Sequence, residues 1–234
     1  DNQKIQIDGG YSKQHSDSLD LTLEQFDISS LQPLVSNKIQ FSGLATGHAT
    51  IRSSESEGLG LLMNLSVDST YIAEKPAGTI LIGSSWNEEE DGFDFTIRNS
   101  LSGKSSIVAD VLLQTKEKKI DGDLNLDQFR IGYLEPLLHG VFSEMDGKLS
   151  GTINLSGPLN EIDIESRGLI LDDAKMRVDF TNVAYNVSGP IHLDNSGAWF
   201  DSNVIEDEYG ETGKISGGIA WDRFKNMNFQ TNIN

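Results

Sequence analysis

The sequence predicts an all-β protein: an elongated, curled antiparallel β-sheet with an apolar interior, built as two repeats that each carry one short helix or helical turn. Three observations predict it. Apolar and polar residues alternate with period two along most of the chain, turn residues recur at short intervals, and one strand–turn–strand segment occurs twice. Successive side chains of a strand point to opposite faces, so period-two alternation gives each strand one apolar and one polar face. Strand after strand with a wet face belongs to antiparallel sheets, because parallel ones are covered on both sides.

The repeat is read directly. Leu21-Thr22-Leu23-Glu24-Gln25-Phe26-Asp27-Ile28 and the following Ser29-Ser30-Leu31-Gln32-Pro33-Leu34-Val35 return as Leu124-Asn125-Leu126-Asp127-Gln128-Phe129-Arg130-Ile131 and Gly132-Tyr133-Leu134-Glu135-Pro136-Leu137-Leu138. The offset is 124 − 21 = 103, and eight of the fifteen positions are identical. After one inserted residue, Gly43 and Gly47 correspond to Gly147 and Gly151. Such self-similarity marks a modular array, whose function resides in an extended surface rather than one catalytic pocket. We therefore expect two β-groove repeats, residues 1–118 and 119–234, continuous with each other because no Pro/Ser-rich linker divides them.

The elements follow in order. Ile107, Ala109, Val111 and Leu113 interleave with Ser106, Asp110 and Leu112, then Ile120, Gly122, Leu124 and Leu126 and later Leu149, Gly151, Ile153 and Leu155 alternate with polar neighbours. Met176, Val178 and Phe180 alternate with Arg177 and Asp179; Val183, Tyr185 and Val187 follow, then Ile215, Gly217, Ile219 and Trp221, and finally Met227, Phe229 and Ile233. Meander turns are expected at Lys75-Pro76-Ala77-Gly78, Asp91-Gly92, Ser156-Gly157-Pro158, Ser188-Gly189-Pro190, Asn195-Ser196-Gly197 and Tyr209-Gly210, where Gly accepts positive φ and Pro offers no ladder donor. The helical candidates are the repeated Ser29–Asn37, with Ser29 as N-cap and Pro33 near the first turn, and Gly132–His139. The 23 glycines dot the strands, and glycine within a strand marks a bend or a close approach. About 14 strands at roughly 4.8 Å spacing would give an apolar strip on the order of 65 Å long.

Composition excludes several function classes. With 234 residues, 37% hydrophobic and 23% charged, the chain is neither disordered nor membrane-spanning. Its apolar runs fall far short of the roughly 20 residues a transmembrane helix needs. A net charge of −18 repels phosphate backbones, so nucleic acid is not an expected partner. The acidic run Glu88-Glu89-Glu90-Asp91 reads as a solvated loop. The absence of cysteine excludes disulfides, thiolate metal sites and thiol nucleophiles. Asp1 opens no charged-then-apolar leader, and the chain still alternates at Asn234, so a fragment of a longer protein is expected.

No chemistry-bearing constellation emerges, so no catalytic residue, cofactor or metal is expected. His15, His48, His139 and His192 are scattered without metal-ligand spacing. The stretch Arg98-Asn99-Ser100-Leu101-Ser102-Gly103-Lys104-Ser105 ends like a phosphate loop but has Arg98 where the first glycine is required. Asp121-Gly122-Asp123 and Asp207-Glu208-Tyr209-Gly210 lack a full set of calcium oxygens. The chain is not expected to be an enzyme.

From about Ile120 onward the sequence carries Leu149-Ser150-Gly151-Thr152-Ile153-Asn154-Leu155-Ser156-Gly157-Pro158-Leu159-Asn160, then Gly168-Leu169-Ile170-Leu171-Asp172-Asp173-Ala174-Lys175-Met176-Arg177-Val178. Val204-Ile205-Glu206-Asp207-Glu208-Tyr209-Gly210 and Gly217-Gly218-Ile219-Ala220-Trp221-Asp222-Arg223-Phe224 follow. This series resembles the C-terminal region of the TamB family, the translocation and assembly module; before Ile120 the likeness rests on the repeated segment with Gly43 and Gly47. The resemblance implies a taco-like groove related to AsmA-like and bridge-like lipid-transfer proteins. It implies a Gram-negative periplasmic location with the full-length protein anchored in the inner membrane. It further implies phospholipid movement and outer-membrane protein assembly or secretion, with a BamA-like outer-membrane barrel of the TamA type as partner. The family offers no catalytic residue to carry over.

On this reading the groove is lined, for phospholipid acyl chains, by Leu124, Leu126, Leu149, Ile153, Leu155, Met176, Val178, Phe180, Ile215, Ile219, Trp221 and Phe229. Lys148, Thr152, Arg177 and Asp179 then face water. Two other readings remain open: a chaperone-like platform for outer-membrane protein strands, which uses the same fold, and a structural or adhesive β-solenoid. The solenoid requires a coil period near 20 residues, whereas the period here is about 100.

Overall fold

The structure, a computed structural model, describes residues 3–10, 17–35, 39–54, 58–222 and 225–234. Among them run β1 (Lys4–Gly9), β2 (Asp17–Asp27), β3 (Phe41–Ser54), β4 (Gly58–Ile72), β5 (Lys75–Asn87), β6 (Gly92–Ser100) and β7 (Ile107–Gln114). They continue with β8 (Lys119–Arg130), β9 (Phe142–Pro158), β10 (Asp163–Val178), β11 (Val183–Asp194), β12 (Gly197–Asp207), β13 (Thr212–Asp222) and β14 (Lys225–Ile233). These fourteen strands form one sheet in strict chain order, each hydrogen-bonded to its sequence neighbours in antiparallel ladders. The all-β antiparallel class follows from the alternation. By internal contacts the chain divides into two compact units, Asp1–Asp123 with Ser156–Ile162, and Leu124–Leu155 with Asp163–Asn234.

In the first unit the core is small and tightly spaced. Leu23, Ala45 and Val67, one from each of β2, β3 and β4, are buried together, with Leu21, Phe26, Ile28, Leu65 and Ile80 packed against them. Alanine at position 45 is what lets neighbouring strands bring larger side chains over it. The opposite face is polar and self-paired. Thr50 donates to the Asp20 carboxylate at 2.6 Å, Thr79 to Asp68 at 2.9 Å and Thr96 to Asp110 at 3.1 Å. Asp20, Asp68 and Asp110 are thus acceptors for cross-strand hydroxyls on the wet face.

One device bends the strands in both units. Between Leu23↔Gly47 and Phe26↔Ala45, β2 carries one residue more than β3. The extra residue, Gln25, takes a left-handed φ of 50°, and its N–H donates to the Thr46 hydroxyl at 3.1 Å. In the second unit Gln128, at φ 53°, donates in the same way to Ser150 Oγ at 2.9 Å. A third copy lies on β10, where Asp173, at φ 50°, donates to Ser188 Oγ at 3.1 Å. A bulge kinks its strand and increases local twist. The hydroxyl on the next strand satisfies the N–H that the bulge removes from the ladder.

The glycines at equivalent positions permit the close approach. A Cβ on Gly47 would lie 2.2 Å from the Asn64 carbonyl oxygen, and one on Gly151 would lie 2.5 Å from that of Gly168. Both residues have φ values of 143° and 132°, which L side chains rarely adopt.

A 3₁₀ turn, Ile28–Leu31, follows β2, and a second, Ile131–Leu134, follows β8. Their starts differ by 131 − 28 = 103, the offset of the sequence repeat. Only the first runs on into a short α-helix, α1 (Gln32–Val35); the rest of the expected Ser29–Asn37 helix, like His15, lies outside the described residues. The N-cap is Asp27, not Ser29: the Asp27 carboxylate accepts from Ser29 N at 2.9 Å. In the second copy Arg130 stands at that position and provides no side-chain cap. The expected helix Gly132–His139 is this 3₁₀ turn followed by hydrogen-bonded turns.

Three expected turns belong to strands. Ser156-Gly157-Pro158 ends β9, the turn following at residues 159–160. Lys75-Pro76-Ala77-Gly78 begins β5, the turn being Ala73-Glu74, both with left-handed φ. Ser188-Gly189-Pro190 lies inside β11, with Pro190 paired to Ile170 where the β11–β12 ladder slips between Ser188 and Ile191. Proline is tolerated there because a bulge leaves its position without a ladder donor to supply.

Candidate functional site

The site is an apolar furrow in the second unit. On β10 Met176 and Val178 point inward, paired across the ladder with Tyr185 and Val183 of β11. Val187 of β11 pairs with Ile205 of β12, Ile215 of β13 with Ile233 of β14, and Ile219 with Phe229. Together with Phe142, Phe180, Thr181, Phe200 and Thr231 these side chains, Val183 excepted, line a cavity of about 240 Å³. Phe142, at the start of β9, reaches Phe229 of β14, with ring centroids 5.8 Å apart and planes at 86°. The sheet of this unit therefore curls far enough for a side chain of β9 to touch one of β14.

Charge is confined to the rim. Arg177, between Met176 and Val178, turns to the polar side and pairs with Glu144 at 3.1 Å and Glu208 at 3.4 Å, and it donates to the Asn182 carbonyl at 3.0 Å. The hydrogen bond with Glu144, above all, raises its pKa still further above the ordinary guanidinium value. Its side chain is 23% exposed, less open than the alternation suggested, because β9 and the turn after β12 supply carboxylates on either side of it. At the other end of the strands Asp194 closes the β11–β12 turn. Burial alone would raise its carboxyl, but hydrogen bonds from Ser196 Oγ and from the N–H groups of Ser196 and Gly197, with His192 beside it, hold it below the ordinary value.

Six of the twelve residues expected to line the groove meet at this cavity: Met176, Val178, Phe180, Ile215, Ile219 and Phe229. Phe180 does so from the turn after β10, at the mouth, with 94% of its surface exposed. Leu126 and Leu149 are buried, and Leu124, Ile153 and Leu155 are half-buried on β8 and β9; none of the five borders the cavity. Trp221 is held at the β11–β12 turn, its indole N–H donating to the Asp194 carbonyl at 3.2 Å. Thr152 lies on the polar face as expected, donating to Asn125 at 2.8 Å.

The alternation did not single out Phe142, Phe200 or Ile205. Phe200 and Ile205 are five apart, an odd spacing that a strict period of two assigns to opposite faces, yet both line the cavity because the ladder slips between Phe200 and Asn203. Tyr185 and Val187 were legible as strand residues and not assigned to the groove.

Two of the segments that suggested other chemistry are held in turns. Asp207 accepts from the N–H groups of Tyr209 and Glu211 and caps its turn. The segment resembling a phosphate loop is the β6–β7 hairpin, in which the buried Asn99 side chain accepts from Ser106 N and Ile107 N at 2.8 Å each. Among the described residues no cluster of acidic residues and histidines is arranged to hold a metal ion, and no helix is long and apolar enough to cross a membrane.

The family profile described as TamB, N-terminal domain, matches residues 5–165. The chain belongs to the TamB family. The matched profile is that of the N-terminal domain and runs from the first repeat into β10 of the second, whereas the residue-level resemblance is to the C-terminal region and is carried mostly by residues beyond Ile120. Comparisons with curated proteins and with solved structures gave no match. TamB proteins are periplasmic, anchored in the inner membrane, and work with TamA in the translocation and assembly module.

Proposed function

We propose that this TamB chain is a periplasmic segment whose apolar furrow carries phospholipid acyl chains between the inner and outer membranes. In that role it supports outer-membrane protein assembly or secretion. The observation that carries the reading is the hydrocarbon wall contributed by six strands, β9 to β14, around a cavity of about 240 Å³. That volume lies below the range of drug-sized ligand pockets, so it suits a stretch of acyl chain rather than a folded ligand. Each methylene moved from water to such a wall is worth about 0.8 kcal/mol. A chain moving between neighbouring apolar positions exchanges like for like, and no single position traps it. The charged rim around Arg177 leaves a headgroup in water.

The reading extends to the twelve residues named from the sequence: Met176, Val178, Phe180, Ile215, Ile219 and Phe229 contact the chain at the cavity, while Leu124, Leu126, Leu149, Ile153, Leu155 and Trp221 extend the apolar face. The two repeats, 1–118 and 119–234, are then two modules of one groove. A TamA-type barrel is the outer-membrane partner, and no catalytic step is involved.

One observation favours a second reading, capture of outer-membrane protein strands by edge pairing. The edge strand β14 presents Phe229 and Ile233, 43% and 51% exposed. Native mass spectrometry of the purified chain, with photo-crosslinkers at Val178 and Ile219 against controls at Thr152 and Lys148, separates the two. Phospholipid captured only at the inner positions supports the conduit. Capture on both faces, or displacement by an outer-membrane hairpin peptide but not by lipid, supports the strand platform.

A further inference from the structure

Strand β14 is at once a wall of the furrow and an edge of the sheet. Phe229, Thr231 and Ile233 line the cavity from this strand. Among the described residues, however, β14 joins the sheet only through β13, and every residue from Asn228 to Ile233 is exposed. The opposite wall is packed. Phe142 of β9 and Met176 of β10 are 6% and 9% exposed, and both of those strands are bonded to a neighbour on either side. Opening motions are drawn from elements with few buried contacts, so β14 is the side free to move.

Strand β13 supplies the joint. Gly217 and Gly218 sit between Ile215 and Ile219, both of which line the cavity. Gly217 has φ +82°, and a Cβ there would lie 2.0 Å from the Gln230 carbonyl oxygen of β14. A Cβ on Gly218 would lie 2.0 Å from the Ala198 carbonyl oxygen of β12. Both neighbouring strands close down on bare backbone, so no side chain is wedged into the angle between β12 and β14. Small residues of this kind absorb the dihedral change of a hinge. On the far side, the edge-to-face contact of Phe229 with Phe142 holds the joint closed, ring centroids 5.8 Å apart. Such a pair is worth a factor of about two to twelve in an equilibrium, enough to keep β14 down without fixing it there.

We propose that β14 is a flap over the furrow, latched by Phe142 and Phe229, and that an acyl chain enters and leaves sideways when the flap lifts about Gly217 and Gly218. The proposal rests on the lipid reading of the furrow and adds how access to that site is controlled. Sideways entry suits the ligand. A chain laid in along its length leaves its headgroup in water throughout, whereas threading headgroup-first would carry a charged group past hydrocarbon. The β13–β14 ladder moves with the flap, so no backbone donor is orphaned. A latch that is closed in both the empty and the filled furrow sets the rate of entry as well as that of exit, whereas a mere wall residue slows exit alone.

The test mixes the 234-residue chain in stopped flow with a lysophosphatidylcholine carrying a nitrobenzoxadiazole group at its chain end. The probe is held below its micellar concentration, so that release from an aggregate is not the slow step. Entry is the rise in probe emission, and exit is its decay on dilution into excess unlabelled lysophosphatidylcholine. In Phe229→Ala, entry is expected to quicken about two- to twelvefold and exit at least as much. Gln230→Ala, on the same strand but outside the cavity lining, should change neither rate. Exit that quickens while entry stays as it was, or slows, makes Phe229 a wall only and overturns the flap while leaving the furrow reading intact. Entry that quickens equally in Gln230→Ala overturns it too. No bound probe in the unaltered protein removes the furrow reading and the flap with it. Phe229→Leu, which keeps hydrocarbon on the strand and loses the ring pair, decides the same question if Phe229→Ala does not fold.

Discussion

The rings of Phe142 and Phe229 meet edge to face at 5.8 Å, although five strand-to-strand steps separate β9 from β14. Laid flat, those steps would span about 24 Å at roughly 4.8 Å each. The contact therefore measures how far the second unit curls, and it stands beside the cavity that the curl encloses. Phe142 is 6% exposed and Phe229 43%, so the two should respond unequally to truncation. Phe142→Ala is expected to destabilise the chain by about 3–5 kcal/mol, and Phe229→Ala by about 1–2 kcal/mol, the part that a half-exposed ring forfeits. A double-mutant cycle in urea should return a coupling of about 0.5–1.5 kcal/mol. A coupling near zero would mean that the rings do not hold the curl.

The equivalent glycines make a second prediction. Gly47→Ala and Gly151→Ala each place a Cβ against a neighbouring backbone oxygen in a disfavoured φ, and each should cost more than about 2 kcal/mol. Gly83 has no left-handed φ, and a Cβ there would meet nothing nearer than Met63 O at 4.0 Å. Gly83→Ala should therefore be neutral or slightly stabilising. Thermal melts of the three variants check this, and a tolerated Gly151→Ala would show that the close approach of β9 to β10 is not obligatory.

Much of the fold could be read from the chain because alternation and the 103-residue repeat are local, additive signals. The strands carrying Met176 and Val178, or Ile215 and Ile219, keep step with a period of two and lead directly to the cavity. What escaped the sequence is where one residue is inserted. Gly189 and Pro190 look like turn residues and are bulge residues, and the slip beside Asn203 places Phe200 and Ile205 on the same face despite their odd spacing. Phe142 escaped for a different reason. Its importance comes from contact with a strand 87 residues later, and 229 − 142 = 87 is a separation that no window of sequence spans.

Acid sensitivity should trace to Asp194. Its carboxyl is held below the ordinary value in the folded chain, so it contributes stability above its unfolded pKa, and that contribution is lost as pH falls through the depressed folded value. The window accordingly lies below about pH 4. Denaturation midpoints measured from pH 6 down to pH 2 should converge for the unaltered chain and Asp194→Asn at the acid end. A constant gap across that range would assign the acid loss to other carboxylates.

Charge inside the furrow should weigh more than charge outside it. Val178→Asp puts a carboxylate among hydrocarbon at a cost of several kcal/mol, whereas Thr152→Asp adds one to the wet face, where Thr152 already meets Asn125. With circular dichroism and melting confirming that both variants fold, lipid co-purifying with Val178→Asp should drop by at least about a hundredfold. Thr152→Asp should retain it. Equal loss in the two variants would place the lipid elsewhere.

Because among the described residues each strand pairs with the strands before and after it in the chain, no contact in these ladders has to wait for a distant segment to arrive. Each hairpin can close on its own short loop, so assembly can zip outward from any point, and loss of order can spread from an edge one hairpin at a time. Amide exchange should therefore be graded along the chain, fastest at β1 and β14 and slowest in the strands between them. A polypeptide with that grammar can gain or lose a hairpin without renegotiating the rest.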